Sequence, residues 1–330
     1  MAFVLTIAGA TNSGKTTLTK FIVSKAKEKG VKVISLSQDD YYFQKEMIKQ
    51  VQSIEYENTL YWNYDEVEAL DIQLLIKDVE EAKLQADLVI VEGNMLTEIA
   101  SLMELSDKTI FATLSKDVCH QRRLKRDDYD PPDLIGYFEQ IVWPQYLKIE
   151  ELAKSVKDKI DFVSGDDINY EQLPSYATNI YNSLKLNVIR ITDQKLDHDM
   201  HVNLVISPSC GAISTFIGTT RDTFKNKRVI DLEYECYTDM ARKQLYNVCF
   251  ETRKLYPSLH CIAISHRTNI VPITEASVVI ATSSPHREHA IAGTSFAIDY
   301  LKETVPIWKK EKYADGSASW KQNCCQQKGT

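Results

Sequence analysis

Two glycines, a lysine and a hydroxyl residue have the spacing of a phosphate-binding loop in residues 9–17, GATNSGKTT. Gly9 and Gly14 allow backbone N–H groups to turn toward an anion, and the N-terminus of the following helix adds positive potential. Lys15 would reach the β- and γ-phosphates, and the hydroxyl of Thr16 can ligate Mg²⁺. The stretch FVLTIA before the loop and LTKFIVSKAKEKG after it predict strand, loop and helix, which is the context that the motif requires.

Acidic residues follow two further strand-like runs. Asp39 and Asp40 come after VISLSQ, and Glu92 comes after LVIV. Ligands bind beyond the carboxyl ends of strands in an open α/β sheet, so these carboxylates are expected beside the phosphate loop. A buried carboxylate without a partner is costly, which favours Mg²⁺ or a substrate hydroxyl as the partner. Asp39 or Asp40 could instead cap a helix N-terminus.

A cluster of cations precedes Pro131 in QRRLKRDDYDPPD. It consists of Arg122, Arg123, Lys125 and Arg126. Such a cluster indicates a lid that closes on transferring phosphates, because positioned cations stabilise the transition state of phosphoryl transfer. For Lys125 a solvated helix face is the simpler interpretation.

Cations also recur in the second half of the chain, in GTTRD, SSPHREHA and DYLKETVPIWKKEKY. The residues are Arg221, His286, Arg287, Lys302, Lys309 and Lys310. A cation pair at a helix N-terminus forms an anion site, and lysines near other cations lose basicity, which suits them to proton transfer. Taken singly, each residue could instead be a cap, a surface charge or part of a solvated run.

Two domains are expected in a chain of 330 residues. Strand-like runs alternate with helical stretches near 65–84 and 133–154, which predicts an α/β domain with a parallel sheet over residues 1–186. Beyond residue 187 the alternation is lost. Strand-like runs and two long helices, about 238–255 and 286–303, predict an α+β domain with a largely antiparallel sheet over 187–330. No Gly/Ser-rich or Pro-rich linker separates the two domains.

The composition argues against several classes of protein. The chain has 46 acidic and 39 basic residues and a pI of about 5.6, which disfavours a nucleic-acid-binding protein. No signal peptide, membrane span or prenylation pattern is present in the sequence, and we expect a cytoplasmic protein. Seven cysteines without CxxC pairs indicate reduced thiols.

The first domain resembles nicotinamide riboside kinases, which are relatives of uridine kinases. Motifs that carry the resemblance occur in order over residues 1–186: GATNSGKTTL, SQDDYY, NYDEVEALD, VEG, RR, YDPPD and GYFEQIVWPQYLK. The resemblance implies transfer of the γ-phosphate of ATP to the 5′-hydroxyl of a ribose, with Mg²⁺. It implies ATP binding by Gly9, Asn12, Ser13, Gly14, Lys15, Thr16, Thr17, Arg123 and Arg126.

The same resemblance assigns the nucleoside site. Asp39 would be the base or a Mg²⁺ partner, Asp65 and Arg123 would hold the ribose hydroxyls, and Glu92 would hold Mg²⁺ with Thr16. Tyr64 and Tyr129 would flank the nicotinamide ring, where a cation over a π-face gains ~0.5 to 2 kcal/mol.

Two features depart from these kinases. One extra residue stands between Cys119 and Pro131, and Asn94 replaces the bulky apolar residue that usually follows EG. No N-K-x-D motif is present, which disfavours a GTPase. A uridine or cytidine kinase and a non-catalytic nucleotide-binding or scaffold module stay open as alternatives.

The second domain resembles the large, catalytic subunit of molybdopterin synthase over residues 187–323. The motifs are GAISTFIGTTRD, LEYECYTDMA, ISHRTNIVPITEASVVIATSSPHR, AIDYLKETVPIWKKE and WKQN. The implied reaction adds two sulfurs to cyclic pyranopterin monophosphate, without a bound cofactor. The implied sulfur donor is a small subunit with a thiocarboxylated C-terminal Gly-Gly, in a heterotetramer built on a homodimer of this chain.

Roles in sulfur transfer follow from the same resemblance. Lys302 and Lys309 would be catalytic, as proton donor and acceptor and as stabilisers of the oxyanion. Glu311 would orient Lys309 or Lys310. The implied pterin site comprises Arg221, His286, Arg287, Lys302, Lys309, Lys310 and Glu311. His266 and Arg267 are expected to be structural.

Overall fold

A computed structural model describes residues 1–126, 133–156, 159–167 and 171–321 of the protein. The chain forms two compact units. The first comprises Ala2–Glu28 and Lys32–Tyr181, and the second comprises the chain from Asn182 onward together with Met1 and Lys29–Val31. The predicted domain boundary at residues 186 and 187 falls directly before a strand of the second unit.

The first unit alternates strands and helices. Its strands are β1 (Phe3–Gly9), β2 (Val33–Ser37), β3 (Gln50–Gln52), β4 (Leu60–Trp62), β5 (Leu88–Glu92), β6 (Lys108–Thr113) and β7 (Ile160–Ser164). Its α-helices are α1 (Lys15–Glu28), α2 (Ile72–Gln85), α3 (Ala100–Leu105), α4 (Lys116–Leu124), α5 (Trp143–Ser155) and α6 (Leu173–Ser183), and α6 runs past the unit boundary. Short 3-10 turns span Gln38–Tyr41, Lys45–Met47, Val67–Ala69 and Leu96–Glu98, and a π-helix spans Phe138–Val142.

Five strands form a parallel sheet in the order β2-β5-β1-β6-β7. All five residues of β5 are buried, which is typical of a central parallel strand covered by helices on both faces. This confirms the predicted α/β class. The carboxyl ends of β1, β2 and β5 share one edge of the sheet, where the phosphate loop and the acidic residues follow.

Helix boundaries differ from the sequence prediction in two places. The helix expected from residue 65 begins at Ile72, because Asp71 caps it by accepting a hydrogen bond from the Leu74 N–H at 2.9 Å. The helix expected from residue 133 begins as the π-helix at Phe138. Gly30, with φ of +76°, follows α1 as predicted for a helix stop.

The second unit contains one mixed sheet and one antiparallel sheet. Its strands are β8 (Asn187–Thr192), β9 (Ala212–Thr219), β10 (Thr223–Phe224), β11 (Lys227–Cys236), β12 (Ile262–Arg267), β13 (Asn269–Pro272), β14 (Ala276–Ser284), β15 (Ile307–Tyr313) and β16 (Ala318–Lys321). Its helices are α7 (His198–Val205), α8 (Thr238–Leu255) and α9 (Arg287–Thr304).

One sheet has the order β8-β12-β14-β9, in which only β8 and β12 pair in parallel. The other follows β10-β11-β15-β16, with β13 also paired to β11, and is antiparallel. Helices α8 and α9 lie within two residues of the predicted bounds. The α+β class is confirmed. Every residue of β14 is buried, so this strand forms the centre of the second core.

The five cysteines in the described part of the chain are free thiols: Cys119, Cys210, Cys236, Cys249 and Cys261. Within the same residues, no helix is long and apolar enough to cross a membrane.

Candidate functional site

The phosphate loop connects β1 to α1, and two glycines determine its shape. Gly9 has a φ of +129°, and a Cβ at this position would lie 2.1 Å from the carbonyl oxygen of Ala112 in β6. Gly14 has a φ of +91°. Both conformations are rare for residues with a side chain, so a substitution at either position would strain the loop.

Lys15 is buried at the start of α1, and its ammonium folds back over the loop. Its Nζ donates to the carbonyl oxygens of Gly9 at 3.1 Å and Ala10 at 2.7 Å. Burial lowers the pKa of Lys15 to about 8, although the charges of Glu92 and Asp39 oppose this effect. The loop therefore holds a fixed cation beside the helix N-terminus, as an anionic phosphate requires.

Hydroxyl groups from two other elements donate hydrogen bonds to the Glu92 carboxylate. The Thr16 hydroxyl donates to both of its carboxylate oxygens at 2.9 and 3.1 Å, and the Ser37 hydroxyl donates to one at 3.3 Å. In the described residues no group of three His, Cys, Asp or Glu side chains could hold a metal by itself. A hydroxyl and carboxylates fit Mg²⁺ that also binds phosphate oxygens, which is the usual form of such sites.

A cleft of about 1020 Å³ opens over this edge of the sheet. It brings together predicted residues that are far apart in the sequence: Asn12, Gly14, Lys15, Thr16, Thr17, Asp39, Tyr64, Asp65, Glu92, Arg123 and Arg126. Gly9 and Ser13 lie in the loop without lining the cleft. Tyr129, the expected second partner of the nicotinamide ring, lies outside the described residues.

Asp39 is exposed at the mouth of the cleft. The alternative role of Asp39 or Asp40 as a helix cap belongs instead to Ser37, whose hydroxyl accepts a hydrogen bond from the Asp39 N–H at 3.4 Å. The Asp39 carboxylate is therefore available for a ligand or a metal ion.

Asp65 is buried, lines the cleft and accepts two side-chain hydrogen bonds. Tyr137 donates its hydroxyl to Oδ2 at 2.9 Å, and Asn94 donates its amide to Oδ1 at 3.2 Å. Burial raises the pKa of Asp65, whereas the Arg123 charge and the two hydrogen bonds lower it. Tyr137 lies 72 residues from Asp65 in the chain, and no local pattern in the sequence marks it as a partner.

The predicted cation cluster is not an array of unpaired charges. Arg123 forms a bidentate pair with Asp133, which the sequence analysis did not assign, and donates to the Thr11 hydroxyl at 3.2 Å. Arg122 and Arg126 both donate to Asn12 of the loop, at 3.2 and 3.3 Å. These contacts hold the end of α4 against the phosphate loop. Lys125 is exposed, as expected.

Aromatic rings line part of the cleft. Tyr64 and Tyr42 meet edge to face with ring centroids 5.5 Å apart. Trp62 also lines the cleft, and the ammonium of Lys45 lies over its ring, 5.3 Å from the ring centroid. Of these residues, only Tyr64 was assigned from the sequence. The rings form a surface on which a flat base can stack.

In the second unit, the predicted pterin residues separate into two groups along β14. His286 and Arg287 are exposed at the start of α9, just after the Ser284 end of β14. The His286 side chain makes no capping hydrogen bond. Arg221 is exposed beyond the end of β9, where Thr219 pairs with Ala276 at the opposite end of β14.

Helix α9 runs from the Ser284 end toward the Ala276 end. The Thr294 hydroxyl donates to the Ser214 carbonyl at 3.3 Å, and Lys302 places its ammonium 5.7 Å from the centroid of the Phe216 ring. Lys302 is therefore displaced along the sheet from Arg287, in the direction of Arg221. One chain does not bring all the predicted pterin residues together.

After α9 the chain passes through Val305 and Pro306 into β15. Lys309 pairs with Tyr234 of β11, and the Tyr234 ring meets His266 edge to face at 5.1 Å. Glu311 is buried, and its carboxylate accepts a hydrogen bond from the Tyr313 hydroxyl at 2.6 Å.

Successive residues of a strand alternate between its faces. Glu311 therefore shares a face with Lys309 and not with Lys310. Lys310 lies near Glu233 at 3.8 Å and over the Trp320 ring at 5.4 Å. Of the two lysines, Lys309 is the one that Glu311 can orient.

His266 and Arg267 have the structural roles expected from the sequence. The His266 Nδ1 lies 2.8 Å from the Arg267 carbonyl oxygen, and burial lowers the pKa of His266 to about 4. Arg267 forms an ion pair with Glu275. Neither residue offers a free charge to a ligand.

Comparison with known proteins identifies the second unit. Residues 191–304 match the model of the MoaE protein family. The chain is 52% identical over 150 residues to the molybdopterin synthase catalytic subunit of Bos taurus, which covers 46% of this chain and 79% of that protein. The molybdopterin synthase structure from Staphylococcus aureus is 34% identical, with a TM-score of 0.39, and the match covers 40% of this chain and 95% of that one.

A fold comparison also matches the chain to a structure from Bacillus stearothermophilus described as a possible uridine kinase. That match has 16% identity and a TM-score of 0.34, and it covers 48% of this chain and 88% of that one. The identity to the bovine protein, over more than three quarters of its length, shows that this chain belongs to the molybdopterin synthase catalytic subunit family.

Proposed function

We propose that the second unit transfers sulfur from the thiocarboxylated Gly-Gly tail of a small partner subunit to cyclic pyranopterin monophosphate, giving molybdopterin. The observation that supports this most is the 52% identity to a catalytic subunit of this enzyme. The complex works as a homodimer of this chain with two small subunits, in the cytoplasm, where the free thiols stay reduced.

The roles of the residues follow from their charges and positions. Arg221 and Arg287 hold the anionic cyclic phosphate and the pterin, because guanidinium groups bind such oxygens in bidentate fashion. Lys302 and Lys309 donate and accept protons and stabilise the oxyanion as the thiocarboxylate is consumed. Glu311 orients Lys309 from the same face of β15.

The partner's tail supplies a test of this reaction. A narrow, extended Gly-Gly chain must reach Lys302 to deliver its sulfur. Adding one bulky residue to the C-terminus of the small subunit is therefore expected to stop sulfur transfer, measured as molybdopterin formed per partner molecule. The control is an added residue at the partner's N-terminus. Full activity of the C-terminally extended partner would contradict this mode of insertion.

For the first unit we propose phosphorylation of a nucleoside at its ribose 5′-hydroxyl, with nicotinamide riboside as the substrate. The supporting observation is the single cleft that contains Lys15, Asp39, Asp65, Glu92 and Arg123. The phosphate loop and the aromatic rings of Tyr42, Trp62 and Tyr64 all line this cleft. This arrangement suits a triphosphate and a base on opposite sides of a reacting hydroxyl.

The predicted residues of the cleft have distinct parts in this reaction. Lys15 and the loop N–H groups hold the β- and γ-phosphates, and Arg123 and Arg126 bring positive charge from α4. Asp39 accepts the proton of the attacking 5′-hydroxyl or contacts Mg²⁺. Mg²⁺ held near Thr16 and Glu92 would neutralise charge on the phosphates. Asp65 accepts hydrogen bonds from ribose hydroxyls.

Two other functions of the first unit give different results in one assay. The full-length protein is incubated with ATP and, separately, with nicotinamide riboside, uridine and cytidine, and the monophosphates are measured. Preference for nicotinamide riboside supports the proposal, and preference for uridine or cytidine identifies a pyrimidine kinase. ATP binding without any product indicates a nucleotide-binding or scaffold module.

Asp65 provides a specific test of the nucleoside site. Asp65→Ala is expected to raise the nucleoside KM by at least about tenfold, because charge-assisted hydrogen bonds to the ribose are lost. The KM for ATP is expected to stay within about twofold, since the triphosphate is held by other loops. Asp40→Ala, an exposed neighbour of the cleft, is the control. An unchanged nucleoside KM in Asp65→Ala would exclude the ribose role.

A further inference from the structure

Two amide side chains without a role in the proposed reaction connect the backbone to Asp65. Gln38 is fully buried, and Asn94 lies between it and the Asp65 carboxylate. The Met95 N–H donates to Gln38 Oε1 at 2.9 Å, Gln38 Nε2 donates to Asn94 Oδ1 at 2.6 Å, and Asn94 Nδ2 donates to Asp65 Oδ1 at 3.2 Å. These contacts form one continuous chain of hydrogen bonds.

The direction of this chain is determined at its first member. A backbone N–H can only donate, so the Gln38 group that faces Met95 is the carbonyl oxygen. The Gln38 amide nitrogen must then face Asn94, which presents its own oxygen in return. The Asn94 nitrogen is left to face Asp65. Asp65 receives a donor here and can only accept.

A second chain of hydrogen bonds reaches the other oxygen of Asp65 in the same direction. The Tyr64 N–H donates to the Tyr137 hydroxyl oxygen at 3.2 Å, and that hydroxyl donates to Asp65 Oδ2 at 2.9 Å. The Tyr137 hydroxyl oxygen thus accepts from Tyr64, and its proton is donated to the carboxylate. Both oxygens of Asp65 therefore face a hydrogen-bond donor.

The position of Gln38 is itself constrained by the backbone. A Cβ at Gly93 would lie 2.5 Å from both the Cβ and Oε1 of Gln38. Glycine at position 93 therefore lets the segment after β5 approach Gln38 closely. The remaining Gln38 amide proton goes to the Tyr42 hydroxyl at 3.2 Å. Both the oxygen and the nitrogen of the Gln38 amide therefore have hydrogen-bond partners, which fix the orientation of the amide.

We propose that Gln38 and Asn94 are positioning residues that, with Tyr137, hold Asp65 as a carboxylate that only accepts hydrogen bonds. The remaining acceptor capacity of both oxygens then faces the cleft and selects a ligand that donates, such as the hydroxyl groups of a ribose. This inference rests on the proposed nucleoside kinase function for its ligand. The hydrogen bonds that reach Asp65 do not depend on that function.

The surroundings of Asp65 act on its charge in both directions. Burial raises the pKa of Asp65, and the Asp133 carboxylate also raises it, whereas Arg123 lowers it. The other titratable groups facing Asp65 are Tyr42, Tyr137 and Cys119; burial is the largest cause that raises their pKa values. None of them is a cation. The directed donors therefore supply stabilisation of the charged form that only Arg123 otherwise provides.

Gln38→Met tests the relay, because methionine keeps the length of the side chain, adds no charge and does not touch Asp65. The Asp65 carboxyl is followed by carbon NMR of full-length protein labelled at aspartate Cγ, with Asp65→Asn used to assign its signal. We expect the Asp65 pKa to be higher in Gln38→Met than in the wild type. This measurement needs no nucleoside, so it stands even if the kinase proposal fails.

The matched pair Tyr137→Phe and Tyr41→Phe covers the case in which Gln38→Met does not fold. Each variant removes one hydrogen bond from a tyrosine to a carboxylate, Tyr137 to Asp65 and Tyr41 to Asp78, the latter at 2.9 Å outside the cleft. Tyr137→Phe is expected to raise the Asp65 pKa, and Tyr41→Phe to leave it unchanged. Equal Asp65 titration in the wild type, Gln38→Met and Tyr137→Phe would overturn the proposal.

Kinetics give a second readout. When the Asp65 pKa is raised, the carboxylate is lost at a higher pH as the solution is acidified. The nucleoside KM of Gln38→Met is therefore expected to exceed that of Tyr41→Phe by about tenfold near pH 6, and this ratio should fall as the pH rises. The KM for ATP should not follow this pattern. A nucleoside KM ratio that is independent of pH indicates a merely structural role and contradicts the relay.

Discussion

Lys15→Ala is expected to lower phosphoryl transfer by about 10²- to 10³-fold, while sulfur transfer by the same protein stays within about twofold of the wild type. The Lys15 ammonium is the fixed cation of the phosphate loop, and it lies 2.7 and 3.1 Å from the loop's own carbonyl oxygens. Its loss removes charge stabilisation where the transferred phosphate develops charge. The predicted sulfur-transfer residues belong to the other unit.

The measurement is a pair of assays on one preparation, nucleoside monophosphate formed from ATP and molybdopterin formed with the small subunit. Lys27→Ala is the control, because Lys27 is an exposed lysine of the same helix outside the cleft. Equal loss of both activities in Lys15→Ala, with Lys27→Ala unaffected, would show that the two sites are not independent.

Mixing Arg287→Ala with Lys302→Ala is expected to restore sulfur transfer that each variant lacks by itself. The two residues are 15 positions apart on α9, which corresponds to ~22 Å along a helix axis. One small substrate cannot contact both ends of this distance. If both residues serve one pterin, they come from different chains of a two-fold dimer.

The arrangement along β14 supports this expectation. Its nine residues span about 26 Å, with Arg287 following one end and Arg221 lying beyond the other. In a shared site, a mixed dimer has one site with both substitutions and one site with neither. Random exchange of chains would then restore about one quarter of the wild-type activity, because half of the dimers are mixed and half of their sites are intact.

Each variant mixed with itself serves as the control and should stay inactive. Exchange of chains is verified by mass spectrometry of differently labelled variants. Verified exchange without recovery of molybdopterin formation would show that Arg287 and Lys302 act within one chain or in separate roles, and the shared site would be rejected.

Local patterns were sufficient for much of the architecture. The loop GATNSGKTT, the parallel sheet, the long helices α8 and α9 and the family of the second unit were all predicted from the sequence. These features depend on residues close together in the chain, namely hydrophobic periodicity, glycine positions and contiguous motifs. The start of α2 was predicted several residues too early. Val67–Ala69 form a separate 3-10 turn, and the α-helix begins only after its cap at Asp71.

The partners of the predicted site residues were decided by the tertiary structure. Composition and spacing give no indication that Asp133 neutralises Arg123, that Ser37 takes the capping role considered for Asp39, or that Tyr137 donates to Asp65. The pairs Arg123–Asp133 and Tyr137–Asp65 join side chains from separate segments of the chain. A hydrogen bond depends on distance and angle, and between such segments these exist only after the chain has folded.

The same division holds in the second unit. The sequence by itself determined which cations are available and that Arg287 and Lys302 lie far apart on one helix. Only the folded chain decided that Ile307–Tyr313 is a strand, in which Glu311 shares a face with Lys309, and that Arg221 lies beyond the end of β14 opposite Arg287. The physical reason is that pairing across a whole sheet decides which segments become strands and which strand ends lie together.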